Sequence, residues 1–349
     1  MTSMKMPSSL FSLKILLCTL VPLTSSVHAD HHAKNSVPLF QKGDRVAFVG
    51  ERAYERARLS GYLEATLSKA AGPKVRGLKF RNLGWSGDTV FNDARSYFGK
   101  PKEGRDRLAR IISEWKPHVV FLNYGAEVVL SEGVSWTDEP SFKKQSAGDW
   151  AESVSIFIEG YQNLIKLIRE NAGDGLREIV VIAPPPLENL GKPLPDHQGT
   201  NQRMAKMGDL LSNFASNNEV RFVDLFTAMN VTNSDENVAA QSLTHDGLHL
   251  KDYGYQALAK HLAVGLGYSP EGLDFSDSLS QNLKDNIVEK NRLFFHRWRP
   301  ANETYLFLFR KHEQGNNAKE IPQFDPIIEK QEVEIEKVRD QLLQKGAIN

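Results

Sequence analysis

Residues Arg45–Val49 (RVAFV) form a short apolar run that stops at Gly50, and this pattern predicts a buried β-strand. Similar runs recur along the chain, each apolar almost throughout, as strands are when both faces of a parallel sheet are covered. The four further predicted strands are Leu78–Leu83, Val119–Tyr124 (VVFLNY), Glu178–Ala183 (EIVVIA) and Arg221–Phe226 (RFVDLF).

Segments with helical composition or periodicity lie between and after the predicted strands. They are Tyr62–Ala70, Arg105–Trp115, Trp150–Arg169, Gln202–Ala215 and Tyr253–Leu266. Strands that alternate with helices predict a three-layer α/β/α domain around a parallel five-strand sheet. Ligands bind such sheets at the carboxyl ends of the strands, so we expect the chemistry in the loops that follow them. These loops hold Gly50–Arg52, Gly84–Thr89, Asn123–Glu127, Ala183–Pro186 and His245–His249.

The composition limits the classes of function. The chain has 349 residues, with 43 Lys and Arg against 43 Asp and Glu and no basic block, so its charge gives no indication of nucleic-acid binding. Its single cysteine, Cys18, excludes a disulfide scaffold and a zinc cluster of cysteines. No Gly-x-Gly-x-x-Gly follows the first strand and no P-loop motif occurs, which argues against a dinucleotide or P-loop enzyme. We therefore expect neither a metal nor a cofactor.

The first 29 residues have the pattern of a signal peptide. Lys5 and Lys14 precede the apolar run Ile15–Leu23, which is too short to span a bilayer, since a spanning helix needs about 20 residues. The segment ends at Ala29, a small residue suited to signal-peptidase cleavage. We therefore expect export to the periplasm or the extracellular space, with no transmembrane segment in the mature chain. An uncleaved anchor is the alternative.

The chain beyond Pro270 differs in composition from the rest. Leu279–Phe295 and Ile327–Leu343 have helical patterns, and the stretch between them holds several aromatic residues without periodicity. The predicted organisation is a signal peptide (1–29), an α/β domain (40–268) and a helical C-terminal extension (275–349). We expect the extension to pack on the domain, because its aromatic side chains need covering.

Asp246-Gly247-Leu248-His249 is the most informative motif in the sequence. An aspartate and a histidine three residues apart can meet across one turn, where the carboxylate holds the imidazole in one tautomer and stabilises its cation. Such a pair alone is a weak signal, since many are ordinary polar turn residues. Its position after the fifth predicted strand and before a helix strengthens a catalytic interpretation.

This motif is the last of four short sequence blocks that resemble, in the same order, the motif blocks of the SGNH/GDSL hydrolase family. The resemblance covers roughly Gly43 to Gly267. Asn82–Thr89 (NLGWSGDT) resembles the second block of that family, with Gly87 as an oxyanion-hole donor. Asp246 and His249 resemble its catalytic pair. The resemblance implies a flavodoxin-like fold, an activity related to ester or carbohydrate-ester hydrolysis, and a small-molecule or glycan ester as ligand.

Two blocks depart from the family pattern. Gly50-Glu51-Arg52 places arginine where the family has its serine nucleophile, and Gly125-Ala126-Glu127 places glutamate where the family has an oxyanion-hole asparagine. A guanidinium group stays protonated and is no nucleophile. A carboxylate would repel an oxyanion, whereas the hole must supply donors. We therefore expect degenerate or altered catalysis.

Further side chains are expected around the same cleft. The substituted or cleft-lining candidates beside Asp246, His249 and Gly87 are Glu51, Arg52, Ser86, Asn123 and Glu127. Arg52 and Glu127 are predicted to form an ion pair across the cleft, with Glu51 or Asp246 as further acceptors. The alternative is that each side chain turns independently to solvent.

Other residues have two interpretations each. Ser86 or Ser60 could replace the nucleophile, although an ordinary turn or capping role explains both. Trp85 could stack on a sugar ring or simply pack within its loop. His245 and the Asp196-His197 pair could line the cleft, although no spacing requires it.

Three functional hypotheses follow. The first is an exported hydrolase-like protein with a degenerate site, or one in which His249 acts as general base on water while Arg52 stabilises the developing charge. The second is a non-catalytic module that binds a glycan or an acyl group in the cleft. The third is an envelope interaction protein that uses the C-terminal helices. The sequence determines neither the substrate nor the oligomeric state.

Cleavage after Ala29 is the testable consequence of the N-terminal pattern. Protein isolated from an exporting host should have the intact mass of the chain that begins at Asp30. A mass that retains Met1 would contradict the signal peptide and leave the uncleaved anchor.

Overall fold

The computed structural model describes residues 38–97, 99–130, 150–234 and 241–346. Five strands form one parallel sheet in the order β2-β1-β3-β4-β5. They are β1 (Arg45–Gly50), β2 (Lys79–Asn82), β3 (Val119–Asn123), β4 (Glu178–Ala183) and β5 (Arg221–Asp224). All five occur where the apolar runs predicted them.

Helices occupy both faces of the sheet and the C-terminal region. They are α1 (Arg52–Ser60), α2 (Tyr62–Ala70), α3 (Pro101–Trp115), α4 (Ala126–Leu130), α5 (Trp150–Ala172), α6 (Gln198–Asn217), α7 (Leu225–Ser234), α8 (Asp252–Gly265), α9 (Ser278–Trp298), α10 (Glu303–Leu306), α11 (Lys311–Gln314) and α12 (Phe324–Gly346). Two short 3₁₀ segments, Asp93–Ser96 and Gly315–Gln323, complete the described structure.

The alternation of side chains along the central strands builds two cores. Val120 and Leu122 of β3 pack on one face of the sheet with α3, α5 and α6. Val119 and Phe121 pack on the other face with α2, α8 and α9. Because both faces are covered, the three central strands β1, β3 and β4 are apolar almost throughout. The prediction of a three-layer α/β/α domain with a parallel five-strand sheet is confirmed.

The ends of β1 and β3 approach each other closely. Gly50 pairs with Asn123 in register, and a Cβ atom on Gly50 would lie 2.5 Å from the Asn123 carbonyl oxygen. The N–H of Glu51 donates a hydrogen bond to the same oxygen at 3.2 Å. In the sheet, β2 lies on one side of β1 and β3 lies on the other. The strand order therefore reverses at β1, and α/β sheets bind ligands at the carboxyl end of such a switch point.

A buried ion pair joins the loop after β2 to the end of β3. The Arg95 side chain donates to Asp88 at 2.7 Å and to the Leu83 carbonyl at 2.9 Å. The Tyr124 hydroxyl donates to the same Asp88 oxygen at 2.8 Å. Asp88, Arg95 and Tyr124 are all fully buried. Each charge or hydroxyl therefore has a partner that offsets the cost of removing it from water.

The C-terminal helices share the cores of the domain. Phe294 of α9 and Ile328 of α12 belong to one core, and Leu283 and Ile287 of α9 belong to the other. The extension is therefore packed on the domain as expected, although Phe309 remains 70% exposed. The domain boundary between 268 and 275 stays a prediction, because nothing in the packing separates the two parts.

Trp85 lies under the extension. Its ring meets that of Trp298 edge-on at 5.6 Å, and the Arg299 guanidinium stacks on it at 3.7 Å. Only 4% of Trp85 is exposed, so the interpretation of this residue as a platform for a sugar ring is wrong.

Within the ranges described above, no helix is both long enough and apolar enough to cross a membrane. The predicted signal peptide lies outside the described residues.

The extension also holds a buried ion pair that can be tested. Lys290 of α9 meets Glu64 of α2 at 2.6 Å, with 2% and 3% of the two side chains exposed. Replacing Lys290 by Ala leaves a buried carboxylate without its partner, which should lower the free energy of unfolding by about 3–5 kcal/mol. Urea denaturation measures the change.

Lys102→Ala is the matched control. Its pair with Asp106 also spans 2.6 Å, but 72% and 60% of the side chains are exposed. Its removal should cost no more than about 0.5 kcal/mol. Equal losses in the two variants would show that the Lys290 pair does not hold the extension to the domain.

Candidate functional site

Asp246 and His249 form a hydrogen-bonded pair in the loop before α8. The His249 Nδ1 lies 2.6 Å from Asp246 Oδ2, while Asp246 Oδ1 accepts the N–H groups of His249 at 2.8 Å and Leu248 at 3.1 Å. Desolvation raises the pKa of Asp246, but these hydrogen bonds outweigh it and hold the pKa well below the usual range. The aspartate is therefore ionised at neutral pH and fixes the Nδ1 side of the imidazole, which leaves Nε2 for a proton.

Glu188 stabilises the loop that carries this pair, and no sequence motif pointed to this residue. Its carboxylate accepts the N–H groups of Leu243 at 3.0 Å and Thr244 at 2.8 Å. Gly247 has a φ of +88°, and a Cβ there would lie 2.6 Å from the Glu188 carbonyl oxygen. Only glycine fits this turn, which brings Asp246 and His249 together.

A small cleft of about 50 Å³ lies beside His249, at the carboxyl ends of β1, β3 and β4. Its polar lining consists of Glu51, Arg52, Arg56, Asn123, Thr244 and His249. Its apolar wall is formed mainly by Pro184–Leu187, Met204, Leu248, Leu250 and Tyr255. The structure thus brings Glu51, Arg52 and Asn123 to the cleft with His249, as the sequence predicted. Arg56, one turn after Arg52 on α1, is an addition.

Other candidate residues lie away from the cleft lining. Ser86 and Gly87 are exposed, and the Ser86 N–H donates to Glu55 at 2.7 Å. Ser60 is buried and its hydroxyl donates to the Ala57 carbonyl at 3.2 Å, as expected of a helix-capping serine. His245 is exposed. The role of Gly87 as an oxyanion donor stays a prediction.

Two carboxyl groups converge on one backbone N–H. The N–H of Gly125 donates to Glu51 Oε1 at 2.9 Å and to Glu127 Oε2 at 2.7 Å, so the two carboxyl groups are neighbours. Burial raises the pKa of Glu51 well above its usual value, and the charge of Glu127 adds to the effect. Burial also raises the pKa of Glu127. The pair therefore retains a proton at a pH where separate glutamates have lost theirs.

The predicted ion pair between Arg52 and Glu127 is wrong. Glu127 lies at the start of α4, and its side chain turns back to the N–H of Gly125. Arg52 starts α1 and lines the cleft, and it forms no ion pair with any residue in the described part of the chain. Glu127 instead lies beside Glu51 at the Gly125 N–H, so within the described ranges no carboxylate neutralises the Arg52 guanidinium.

Metal binding has no support in the described ranges, where no three His, Cys, Asp or Glu residues cluster in a way that could hold an ion. The groups in or beside the cleft that could take part in chemistry are the Asp246–His249 pair, Arg52 and the carboxyl pair.

Comparison with protein families places this site in context. The model of the GDSL-like lipase/acylhydrolase family matches residues 43–257. The matched range begins just before β1 and ends within α8, so it includes Glu51, Gly125 and the Asp246–His249 pair. No curated protein matches the sequence.

Solved structures share the fold at low identity. A gut microbial diltiazem-metabolizing enzyme is 18% identical with a TM-score of 0.50, and the match covers 66% of this chain and 48% of that one. The chain thus spans about half the length of that enzyme. A catalytic mutant of an acetylxylan esterase from Geobacillus stearothermophilus is 18% identical, with a TM-score of 0.48 over 67% of this chain and 98% of that one. An alpha/beta hydrolase enzyme from the metagenome of Lake Arreo is 17% identical, with a TM-score of 0.44 over 65% and 97%.

The carboxyl pair makes stability depend on pH. Because its pKa is raised in the folded protein, the folded state holds a proton that the unfolded chain has lost, so stability falls as pH rises through the raised pKa. Glu127→Gln removes one of the two charges and should raise Tm relative to the parent at pH 8 more than at pH 5. A change of 1 kcal/mol corresponds to about 2–4 °C in Tm.

Glu170→Gln serves as the control, because Glu170 is an exposed residue 3.9 Å from Lys166. Its effect on Tm should be small and alike at the two pH values. A Glu127→Gln effect that is also independent of pH would mean that the two carboxyl groups titrate separately.

Proposed function

The chain belongs to the GDSL-like lipase/acylhydrolase family, and from this premise we propose that it is an exported esterase-like protein in which water replaces the serine nucleophile. The observation that carries the proposal is that His249, already paired with Asp246, lines the same cleft as Arg52, which has no ion pair among the described residues. A base and a cation at one small cleft are the two groups that hydrolysis by water requires.

In this mechanism His249 acts as the general base. Its Nδ1 is held by Asp246, so Nε2 accepts a proton while the water oxygen forms a bond to the acyl carbon of the ester. The carbonyl electron pair moves to oxygen and gives a tetrahedral oxyanion. When this electron pair forms the carbonyl double bond again, the bond between the acyl carbon and the alcohol oxygen breaks. The alcohol oxygen takes the proton from the His249 imidazolium. No covalent enzyme intermediate forms.

Arg52 stabilises the oxyanion in place of an asparagine. Its guanidinium presents fixed N–H donors and a full positive charge to the cleft. The first-turn N–H groups of α1, at Arg52 and Ala53, also lack helical partners and lie at the positive end of the helix. These groups favour charge that develops on a carbonyl oxygen bound at the switch point between β1 and β3.

The dimensions of the cleft favour a short acyl group. A volume of about 50 Å³ with a wall of prolines, Leu187 and Met204 leaves room for an acetyl or similarly small acyl chain. The alcohol would extend toward solvent, so both simple esters and acetylated sugars are candidates. The N-terminal pattern over residues 1–29 supports action outside the cytoplasm on such compounds.

A non-catalytic binding module is the second candidate. The observation that favours it is the occupation of the Gly125 N–H by two carboxyl oxygens, which removes one backbone donor from service to a ligand. In that case the cleft would bind an acyl or glycan ligand through Arg52 without turnover.

A panel of acetyl and short-acyl esters tests the proposal. His249→Ala should lower kcat/KM by about 10²–10⁴-fold through loss of the base, and Arg52→Met by about 10²–10³-fold through loss of an oxyanion donor. His245→Ala is the matched control, because this exposed histidine lies four residues from His249 and outside the cleft lining. A serine-directed organophosphonate should not label the protein.

Each other outcome is decisive. Equal rates for the parent and His249→Ala would contradict hydrolysis, and saturable binding of an ester without turnover would then support the binding module. Stoichiometric labelling of any serine would contradict water as the nucleophile.

A further inference from the structure

We propose that the ester substrate carries an anionic group on its alcohol portion, and that Arg56 binds this group at the exposed end of the cleft while Arg52 faces the reacting carbonyl. The inference rests on the proposed hydrolysis and deepens it by naming a substrate class. That class is the esters of alcohols that bear a carboxylate or a sulfate group, two anions that share the chemistry a guanidinium recognises.

Arg52 and Arg56 lie one turn apart on the same face of α1. Residues four positions apart are neighbours on a helix surface, separated by about 6 Å along the axis. Both side chains line the cleft together with His249. Arg52 is half-buried, whereas Arg56 is exposed. The two guanidinium groups therefore form a row that leads from the interior of the cleft to its exposed end.

The two cations approach the same side chain across the cleft. Tyr255 of α8 is buried and lines the cleft beside His249. Burial raises the pKa of the Tyr255 hydroxyl, and the positive charges of Arg56 and Arg52 oppose this rise. Because the effect of a charge weakens with distance, both guanidinium groups lie near this wall of the cleft.

The carboxylates near the two arginines are engaged with other groups. Glu55, which precedes Arg56 in the chain, pairs with Arg299 at 2.6 Å. Asp246 is bound to a histidine, and Glu51 accepts a backbone N–H after β3. Neither arginine forms an ion pair with a residue of the described ranges. The positive charge at the cleft is therefore uncompensated by that part of the chain.

Helix stability does not explain the two positions. Because α1 begins at Arg52, both arginines lie in its first two turns, at the positive end of the helix dipole, where cations are unfavourable. Like charges four residues apart also repel each other. A bound anion would reverse both effects, so the placement of Arg52 and Arg56 stabilises an anionic ligand rather than the helix.

The apolar wall determines which part of the ester carries the charge. The cleft has only about 50 Å³, and its wall of Pro184–Leu187 and Met204 offers no counter-charge. A charged acyl group would be desolvated there without a partner, which is costly. The alcohol portion extends toward the exposed Arg56 instead. A separation of about 6 Å from the position of Arg52 corresponds to two carbons between the ester oxygen and the anion.

Matched acetyl esters test the proposal. In 3-acetoxypropanoate the carboxylate lies two carbons from the ester oxygen, and 3-acetoxypropanamide is its neutral match. The parent should hydrolyse the anionic ester with a kcat/KM about tenfold higher, the effect expected of a hydrogen bond to a charged group. The difference should appear mainly in KM, because Arg56 binds the ground state and the transition state alike.

Variants of Arg56 assign the preference. Arg56→Gln should reduce the ratio of the two kcat/KM values by at least about fivefold, whereas Arg56→Lys keeps the charge and should retain most of it. Arg110→Gln is the matched control, because this exposed arginine of α3 lies outside the cleft lining and should leave the ratio as in the parent. A higher kcat/KM for 2-acetoxyethanesulfonate than for the carboxylate would assign the sulfate class.

Unreactive amides supply a readout that needs no turnover. By calorimetry, the parent should bind N-acetyl-β-alanine about tenfold more tightly than the neutral N-acetyl-β-alaninamide. Arg56→Gln should lose this difference.

The outcomes distinguish the two proposals. Equal kcat/KM values for the two esters, or a preference that survives in Arg56→Gln, would overturn the anion site and leave hydrolysis by His249 and Arg52 in place. Selective binding of the anionic amide without turnover of any ester would overturn hydrolysis and retain the anion site. Neither turnover nor selective binding would overturn both.

Discussion

The close approach of β1 and β3 at Gly50 is the constraint on which the site depends. Any side chain at this position would collide with the Asn123 carbonyl, which lies 2.5 Å from the place of a Cβ atom. The contact sets Glu51 beside the N–H of Gly125 and directs the first turn of α1 into the cleft. The carboxyl pair and the position of Arg52 both follow from this one backbone contact, at the switch point of the sheet.

The site combines an aspartate-histidine pair with a cation at the same cleft. The Asp246–His249 pair is built by local geometry, within one turn that Gly247 permits. On the opposite side of the cleft lies Arg52, which carries a positive charge. A pair between Arg52 and Glu127 would have cancelled that charge. Because Glu127 instead accepts the Gly125 N–H beside Glu51, no carboxylate in the described part of the chain cancels the Arg52 charge.

Local pattern predicted much of the fold, and tertiary contacts account for what it missed. The five strands and the Asp246–His249 pair follow from apolar runs and from a spacing of three residues, which are properties of neighbouring positions. The burial of Trp85 depends on Trp298 and Arg299, more than 200 positions away, and no local pattern reports such a contact. Opposite charges after β1 and β3 suggested an ion pair between Arg52 and Glu127. The direction of each side chain is instead set by the helix in whose first turn it lies, α1 for Arg52 and α4 for Glu127.

The proposed chemistry depends on a single proton held between Glu51 and Glu127, because this proton leaves Glu127 without need of Arg52 as a partner. Neutron diffraction from a crystal of the protein at pH 7 would locate it directly. The account predicts one deuteron between the two carboxyl groups, with their nearest oxygens about 2.5–2.7 Å apart, and an Arg52 side chain directed into the cleft. Two ionised carboxyl groups that have separated, or an Arg52 guanidinium bound to Glu127, would contradict it.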